Sequence, residues 1–385
     1  MAPIKACVIG VGLGGLTFHV PFILALPHLF TLHAVMERNP AAPGGKLQSR
    51  FGEAAAKGVI IHRTFDAVLA DPEIELVVIS TPSSTHYELA KQALEAGKHV
   101  LVDKPVTAQF SQAQELGALA KSKNLALYPF QNRRWDSDFL TLKRLLDLPA
   151  DHPQSLGTLY EFESRFDRFR AELKGTWKDL PLDANGLVYD LAAHTIDQVL
   201  VLFGRPAKLT AFKENIRGIG SKEVDDAFTI FLHYPLRPAA SGLQPTSFTA
   251  ILRGHILSIR SPQVRYVVRG TQGTYLKYGV DVQEDQLKVI PSPAAIVQSE
   301  TYGIEPEEIY GSVENLDGEG KVVKSVWPST ERGQYIKLFE NVAAVIRDGA
   351  EQDIKWEESA EVVELIELAY KSSAEERTLP VPPRQ

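Results

Sequence analysis

The sequence predicts an α/β N-terminal domain with a doubly wound parallel sheet, followed by an α+β domain with a large, mostly antiparallel open sheet. Three observations lead to this prediction. In the first third of the chain, short β-branched runs alternate with longer helical patterns, and a glycine-rich turn follows the first run. After about residue 125, strand-like runs follow one another with few helices between them. We place the domain boundary between residues 128 and 129, so that residues 1–128 and 129–385 form the two domains.

In the first domain, four apolar runs are expected to form buried strands. They cover residues 5–9, 32–36, 76–80 and 99–102. The helical patterns between them cover residues 16–26, 44–57, 84–96 and 109–123, and Pro27 ends the first helix. Strands separated by helices at this spacing lie parallel in one sheet, with right-handed crossovers.

The second domain begins with a helix over residues 136–146 and is then dominated by strand-like runs. These runs cover residues 158–166, 208–212, 226–233, 248–253, 263–268 and 274–277, and a long helix over 187–203 lies among them. Consecutive strands without crossover helices favour an antiparallel sheet. The remaining predictions are a hairpin excursion at 235–245, a long loop over 291–330, helices over 335–348 and 357–373, and a frayed Pro-rich tail over 379–385.

Composition limits the class of function. The chain is 44% hydrophobic and 23% charged, which is typical of a globular protein. Its net charge of -7 argues against a nucleic-acid partner, because a nucleic-acid binder needs a basic surface. Cys7 is the only cysteine, which excludes an intrachain disulfide and a zinc site built on thiolates, and no metal site is expected.

The apolar stretch over residues 6–26 suggests at first a signal peptide or a membrane span. Glycines, His19 and Pro21 interrupt the stretch, and no small-residue cleavage pattern follows it. We therefore expect a cytoplasmic protein with no membrane partner.

The glycine-rich turn has the pattern of a dinucleotide-binding site. Gly10, Gly12 and Gly15 occupy the three glycine positions of G-x-G-x-x-G, with Leu13 inside the same turn. The first glycine permits the tight turn, the second lets a pyrophosphate approach the backbone, and the third lets the helix pack against the strand. A strand precedes the motif and a helix follows it, which predicts a Rossmann fold. The alternative is a glycine-rich turn in a Rossmann fold that binds something else.

The next strand ends in an acidic residue, Glu37, which lies 22 residues after Gly15. A carboxylate there accepts hydrogen bonds from the ribose hydroxyls of NAD and repels the 2′-phosphate of NADP. Arg38 has three interpretations: a partner of that phosphate, a stacking partner of adenine, or a solvated surface charge. The cofactor is therefore predicted to be NAD or NADP, with NAD favoured.

Three stretches resemble the Gfo/Idh/MocA family of sugar and polyol dehydrogenases. They read GVGLGGLTFHVPFI, STPSSTHYELAKQALEAGKHVLVDKP and NGLVYDLAAHTIDQ. The blocks FQNRRWDSDFL and ESRFDRFR are similar to those of the scyllo-inositol dehydrogenase-like subgroup, and the resemblance runs over nearly the whole chain. Where the family usually has Glu-Lys-Pro, this chain has Asp103-Lys104-Pro105, and Ala193 replaces the glycine that the family often has before its histidine.

The resemblance implies roles for three groups of residues. The catalytic trio of the family corresponds to Lys104, Asp190 and His194. The cofactor would be lined by Thr81, Pro82, His86, Asp103 and Gln131. The substrate pocket would lie near Arg165, Asp167, Arg168 and Trp177.

Lys104 also stands out on chemical grounds, because it follows the fourth predicted strand. Ligands of open α/β sheets bind beyond the carboxyl ends of the strands. A lysine beside a bound cofactor has a lowered pKa and donates a hydrogen bond to an alcohol or carbonyl oxygen. Without its flanking pattern, Lys104 would be interpreted as a surface lysine on a loop.

Asp190, His194 and Asp197 are spaced i, i+4, i+7 and therefore share one arc of a helix. The two carboxylates can tune the imidazole as a general base near neutral pH, with Asp197 next to the substrate. The alternative is a solvated polar face with an ion pair.

The segment ESRFDRFR combines charges with aromatic rings. On an alternating strand, Glu163, Arg165 and Asp167 share one face, which suits a hydroxyl-rich substrate. A surface ladder of ion pairs is an equally good interpretation.

The leading hypothesis is an NAD(P)-dependent polyol or sugar dehydrogenase, acting on an inositol-like or aldose substrate. His194 would accept the hydroxyl proton, Lys104 would stabilise the developing oxyanion, and Asp190 would orient His194; the base could also be Lys104. One alternative is a catalytically inactive regulator that senses dinucleotides. Another is an enzyme that holds its cofactor tightly and recycles it between two substrates. No N-terminal arm that could clasp the cofactor is expected, which counts against this second alternative. An open sheet face needs cover, so we predict a homodimer or homotetramer.

Overall fold

The computed structural model describes residues 2–237 and 246–384, and the chain forms two compact units of three segments each. The first unit contains Met1–Trp135, Val282–Gly303 and Gln334–Glu361, and the second contains Asp136–Asp281, Ile304–Gly333 and Val362–Gln385. The boundary between residues 128 and 129 stays a prediction. No helix among the described residues is both long and apolar enough to cross a bilayer.

The first unit is built on a six-stranded parallel sheet. Its strands are β1 (Ile4–Ile9), β2 (Phe30–Met36), β3 (Ile60–His62), β4 (Leu76–Ile79), β5 (His99–Asp103) and β6 (Leu127–Phe130). They lie in the order β3-β2-β1-β4-β5-β6, which is the doubly wound order of the Rossmann fold. The four predicted strands are confirmed. Two further strands were not predicted from the sequence: β3, which is short and partly exposed, and β6, which contains Pro129.

Helices cover the sheet of the first unit. They are α1 (Val20–Ala25), α2 (Gly45–Phe51), α3 (Glu53–Ala56), α4 (Phe65–Ala70), α5 (His86–Glu95) and α6 (Phe110–Lys123), with α9 (Gln283–Val289), α10 (Ala295–Gln298) and α11 (Ile336–Asp348) from the later segments. Buried strand residues and aromatic rings form the core, in which Phe22 of α1 stacks on Phe339 of α11 at 5.0 Å between ring centroids. The helix expected over 16–26 starts as a π-helical turn, Gly15–His19, before α1.

The second unit contains a nine-stranded sheet. Its strands are β7 (Leu159–Arg165), β8 (Lys208–Glu214), β9 (Ala227–Arg237), β10 (Thr246–His255), β11 (Val264–Gly270), β12 (Gly273–Tyr278), β13 (Gly311–Leu316), β14 (Val322–Trp327) and β15 (Leu379–Pro380). The order is β14-β13-β12-β11-β7-β10-β9-β8-β15, and only the pair β7–β10 is parallel. The prediction of a mostly antiparallel sheet is therefore confirmed.

One face of this sheet packs against helices, which are α7 (Ser137–Leu146), α8 (Ala193–Phe203) and α12 (Trp356–Ala374). A π-helical turn, Val188–Ala192, precedes α8 and lies within the helix predicted over 187–203. Leu191, Ile196 and Val199 are buried in the core of this unit, as expected for the apolar side of that helix. The opposite face carries a row of cross-strand neighbours that includes the partly buried Phe231 and Ile251.

Two predictions for the second domain are wrong. The expected loop over 291–330 contains α10 and the pair β13–β14, whose side chains are largely exposed and therefore show no clear apolar alternation. The tail is anchored rather than frayed, because Leu379 pairs with Leu209 of β8 and is buried. Residues 238–245 of the expected hairpin excursion lie outside the described residues. The strands on either side, β9 and β10, pair antiparallel.

Candidate active site

The carboxyl ends of β1, β4, β5 and β6 lie together at one edge of the parallel sheet. Because β1 lies between β2 and β4, the strand order reverses between β1 and β4. In open α/β sheets, ligands bind outside the carboxyl ends of the strands at this switch point. The glycine-rich turn follows β1, and Thr81 and Pro82 follow β4, so both predicted segments lie at the switch point.

The three glycines of the turn have different environments. Gly10 has a φ of +93°, and a Cβ built there would lie 2.1 Å from the carbonyl oxygen of Ser80. A Cβ on Gly15 would lie 2.3 Å from the carbonyl oxygen of Gly10. A Cβ on Gly12 would have no atom within 4 Å, and the side chain of the neighbouring Leu13 is 71% exposed. The fold itself therefore requires Gly10 and Gly15, whereas Gly12 leaves open space next to the backbone.

Asp103, at the end of β5, is held by three hydrogen bonds. Its Oδ1 accepts from the backbone N–H of Lys104 at 2.8 Å, and its Oδ2 accepts from the hydroxyl of Ser80 at 3.2 Å and contacts His19 Nε2 at 3.3 Å. Burial opposes the ionisation of Asp103, but the His19 hydrogen bond and the Lys104 charge outweigh it and hold the pKa of Asp103 below its ordinary value. A carboxylate is thus fixed beside the predicted catalytic lysine.

His86 connects the end of β4 to the segment after β5. Its Nδ1 lies 2.8 Å from the carbonyl oxygen of Pro105, and its Nε2 lies 3.0 Å from that of Thr81. Complete burial lowers the pKa of His86, and a neutral imidazole donates to one of these two oxygens at a time. His86 therefore positions the two segments that flank Lys104, while the Thr81 hydroxyl contacts that of Thr85 at 2.7 Å.

Gln131 follows β6 and is almost completely buried. Among the described residues, its side-chain Nε2 has no hydrogen-bond acceptor. Buried polar groups are nearly always hydrogen-bonded, so an amide donor in this state is available to a ligand.

Glu37 is also buried, and its carboxylate has a partner in the protein. Its Oε2 accepts from the backbone N–H of Lys46 at 2.9 Å, in the first turn of α2. Arg38 is exposed, and the guanidinium of Arg63 donates to its carbonyl oxygen at 3.1 Å. Arg63, which follows β3, is thereby held against the backbone of Arg38, which follows β2.

These groups fit a nicotinamide dinucleotide. Gly12 leaves room for a pyrophosphate at the start of a helical segment, where backbone N–H groups favour phosphates. Gln131 supplies a buried amide donor beyond β6. Arg38 supplies a cation at the place where the adenosine ribose lies in this fold.

In the second unit, the residues predicted to form a polar stripe differ in exposure. Asp190 is partly exposed on the π-helical turn, whereas His194 and Asp197 of α8 are only 5% and 2% exposed. The alternative of a solvated polar face is therefore wrong for His194 and Asp197. The His194 ring stacks against Phe166 at 6.3 Å between ring centroids.

The sequence analysis missed the partner of Asp190. Lys178 donates to both carboxylate oxygens of Asp190, at 2.9 and 3.0 Å. It lies in a short 3-10 turn with Trp177, whose ring centroid is 5.6 Å from the Lys178 ammonium. The two residues are twelve positions apart and belong to different elements, so helical spacing gives no sign of the pair.

The predicted substrate residues on β7 form ion pairs. Glu163 Oε1 accepts from Arg165 Nε at 3.0 Å and forms an ion pair with Arg253 Nε of β10 at 2.8 Å, as the ladder interpretation predicts. Asp167 accepts from the backbone N–H of His255, and burial raises its pKa although His255 and Arg165 oppose this. Arg168 lies on the other side of the segment, with its guanidinium 5.6 Å from the Phe166 ring centroid.

Comparison with known proteins gives a consistent picture. A family model for the NAD-binding Rossmann fold of the Gfo/Idh/MocA oxidoreductases matches residues 4–130, and the model for the C-terminal alpha/beta domain of the same family matches residues 153–382. An uncharacterized oxidoreductase of Schizosaccharomyces pombe is 39% identical over 99% of this chain and 100% of its own length. The scyllo-inositol 2-dehydrogenase (NADP(+)) IolW of Bacillus subtilis is 32% identical over 98% of this chain and 95% of its own. The solved structure of YvaA from Bacillus subtilis has a TM-score of 0.85 at 30% identity and covers 99% of both chains.

Proposed function

Since the chain belongs to the Gfo/Idh/MocA oxidoreductase family and its first unit is an NAD(P)-binding Rossmann domain, we propose that it is a dehydrogenase of polyols or sugars. The proposed reaction transfers a hydride between the nicotinamide cofactor and a CH–OH or carbonyl carbon. The observation that carries the proposal is the open space at Gly12, in a turn at the switch point of the sheet, where a Cβ on the neighbouring Gly14 would lie 3.8 Å from Asp103 Oδ2. The name of IolW supports an inositol-like substrate.

The proposed cofactor contacts follow from the first unit. The turn with Gly10, Gly12 and Gly15 would hold the pyrophosphate through backbone N–H groups. Gln131 would donate its buried amide to the cofactor, and His86 would keep the segments with Thr81 and Pro82 in place. When bound, the nicotinamide supplies hydride transfer, which no amino-acid side chain can perform.

The proposed catalytic residues move and hold the proton. His194 accepts the proton of the substrate hydroxyl, and Lys104 donates a hydrogen bond to the oxygen on which negative charge develops. Asp190 would orient His194, and Lys178 holds the Asp190 carboxylate by donating to both of its oxygens. Asp103 fixes the backbone of Lys104 through its N–H.

We further propose that the cofactor is NADP rather than NAD. The preference for NAD inferred from the sequence depends on a Glu37 carboxylate that faces the ribose. In the structure this carboxylate is buried and accepts from the Lys46 N–H, so it is poorly placed to exclude a phosphate. The exposed Arg38 provides a cation for a 2′-phosphate, Arg63 is held against the Arg38 backbone, and IolW is named as an NADP(+) enzyme. Calorimetric titration tests this proposal: Arg38→Ala is expected to weaken the binding of NADP and to leave the binding of NAD unchanged. An equal loss of affinity for both cofactors would contradict it.

A substrate panel tests the proposed reaction. Inositols, aldoses and their oxidised forms are assayed with both cofactors in both directions by nicotinamide absorbance. At least one alcohol–carbonyl pair is expected to turn over, with little turnover in Lys104→Ala and full turnover in Lys57→Ala, which removes an exposed lysine elsewhere in the same unit. If the dinucleotide binds and no compound reacts, the regulator hypothesis replaces the dehydrogenase.

A further inference from the structure

A pocket in the second unit brings several cations together next to Asp190. It is open to solvent, and its cavity volume is about 40 Å³. Four basic side chains line it, those of Arg170, Lys174, Lys178 and Arg217. A cavity of this volume holds a few waters or one small charged group.

Two of these four cations are neutralised by carboxylates of the pocket wall. Lys178 binds both oxygens of Asp190, and Arg217 Nε donates to Asp226 Oδ2 at 2.7 Å. Arg217 also donates to the carbonyl oxygen of Glu172 at 2.9 Å. The charges of these pairs therefore largely cancel.

The other two cations, Arg170 and Lys174, have no carboxylate partner among the described residues. The Arg170 Nε is buried and, within the part of the chain that the structure describes, has no acceptor. A buried charged donor without an acceptor is costly, so its persistence in a pocket points to a ligand that supplies the acceptor.

The remaining carboxylates of the wall are already engaged. Asp179 accepts from the backbone N–H of Thr176. Asp225 accepts from the Val188 N–H at 2.8 Å and from the hydroxyl of Tyr370, and burial raises the pKa of Asp225. Asp179 also accepts from the backbone N–H of Lys174, and its charge acts on Arg170, but within the described residues neither carboxylate forms an ion pair with the side chain of Arg170 or Lys174.

The unpaired cations repel one another. Desolvation and the positive charge of Lys178 lower the pKa of Lys174 to about 8, against the opposing charge of Asp190, although the residue as a whole is exposed. Burial and the charges of Arg168 and Arg217 also lower the pKa of Arg170, while the carboxylates of Asp179 and Asp190 oppose this shift. An anion between Arg170 and Lys174 would relieve this repulsion.

We propose that this pocket binds a carboxylate or phosphate group of the substrate, so that the substrate is an anionic polyol or sugar. The inference rests on the proposed function, because it assigns the substrate class of the site that contains Asp190. The Arg170 guanidinium provides a planar fork for two oxygens of the anion, and Lys174 provides a point charge. Lys178 keeps Asp190 from repelling the anion.

Binding measurements without turnover test the inference. The probes are inorganic phosphate and two pairs, glucose 6-phosphate with glucose and glucuronate with glucose, titrated into the full-length protein at low ionic strength. We expect at least one charged sugar to bind about tenfold or more tightly than glucose, since a charge-assisted hydrogen bond contributes this much. The two charged sugars distinguish a phosphate from a carboxylate. Equal affinities of charged and neutral sugars would overturn the inference.

Variants show whether the binding is specific. Arg170→Gln and Lys174→Gln are each expected to weaken the binding of the charged sugar roughly tenfold and to leave the affinity for glucose unchanged. Lys321→Gln makes the same charge change at an exposed turn of the same unit and serves as the matched control. If Lys321→Gln weakens binding as much as Lys174→Gln, the attraction is non-specific and the inference is wrong. Because the Lys174 residue is exposed, that variant is expected to fold even where Arg170→Gln does not.

The same data separate this inference from the proposed function. If charged sugars bind in the predicted way and no compound exchanges a hydride, the anion site stands and the dehydrogenase does not. If neutral polyols turn over and no charged sugar binds preferentially, the dehydrogenase stands and the anion site is wrong.

Discussion

Replacing Gly12 by alanine separates the role of this glycine in binding from any role in the fold. A Cβ at Gly12 would have no atom within 4 Å, and the φ of Gly12 is outside the left-handed region. The change is therefore expected to leave stability unchanged or to raise it by about 0.4–1 kcal/mol, because alanine restricts the unfolded chain. The added methyl group would, however, occupy the space through which a pyrophosphate reaches the backbone. Losing one hydrogen bond to a charged group costs about 1.5–3 kcal/mol, which weakens the dinucleotide roughly 10- to 100-fold.

Two other glycines serve as controls for this experiment. A Cβ at Gly15 would lie 2.3 Å from a backbone oxygen, so Gly15→Ala is expected to cost about 1–3 kcal/mol of stability through overpacking. Gly318, between β13 and β14, also has open space around its Cβ position, so Gly318→Ala should affect stability as little as Gly12→Ala does and should leave dinucleotide binding unchanged. Thermal unfolding and calorimetric titration with NADP measure the two properties. If Gly12→Ala binds NADP as tightly as Gly318→Ala does, the assignment of the turn to the pyrophosphate is wrong.

Three further predictions concern catalysis, charge and assembly. Lys104→Ala and His194→Ala should each lower turnover by about 100- to 10,000-fold with little change in cofactor affinity. The double variant should lose far less turnover than the product of the two single losses. Near-normal turnover in both single variants would refute the proposed catalytic roles. Because the pKa of Lys174 is about 8, its ammonium loses its proton as the pH rises through that value, so a charged sugar should bind more weakly at pH 9 than at pH 7. The titration of Lys174 is influenced by the charges of Lys178, Asp190, Arg170 and Arg168. Lys174→Gln should remove the change in affinity between pH 7 and pH 9. If this change persists in Lys174→Gln, Lys174 is not its source. Because the face of the nine-stranded sheet opposite the helices needs cover, we predict a homodimer or homotetramer. Light scattering that shows a 42.5 kDa monomer at micromolar concentration would contradict this prediction.

The sequence predicts the parallel sheet well because its strands are buried on both faces. A continuous apolar run such as that of β4 is typical of a strand in the middle of an α/β sheet, where both faces are covered by helices. By contrast, β14 is the edge strand of the second sheet, and its valines Val322, Val323 and Val326 are exposed, so the strand shows no clear apolar face. Such strands are specified by pairing with a neighbour, and a pattern within one segment does not reveal that pairing.

The candidate site shows the same limit at the level of side chains. The G-x-G-x-x-G spacing located the turn, since Gly10 and Gly15 meet local backbone requirements and Gly12 leaves space for a ligand. The contact of Glu37 with the Lys46 N–H depends on the path of the chain through Gly44 and Gly45, which both have positive φ. The ion pair of Lys178 with Asp190 joins two elements and follows no periodicity. Contacts of this kind decide which charges a ligand meets, and they become visible only in the folded chain.

Isotope transfer tests the proposed dehydrogenase activity most directly. The protein is incubated with reduced NADP that carries deuterium at the transferable position of the nicotinamide ring, together with oxidised inositols and keto sugars, and the products are examined by mass spectrometry. The account predicts one deuterium on the newly formed carbinol carbon of the product, and almost none when Lys104→Ala replaces the natural protein. Tight binding of reduced NADP without deuterium in any polyol would contradict the account.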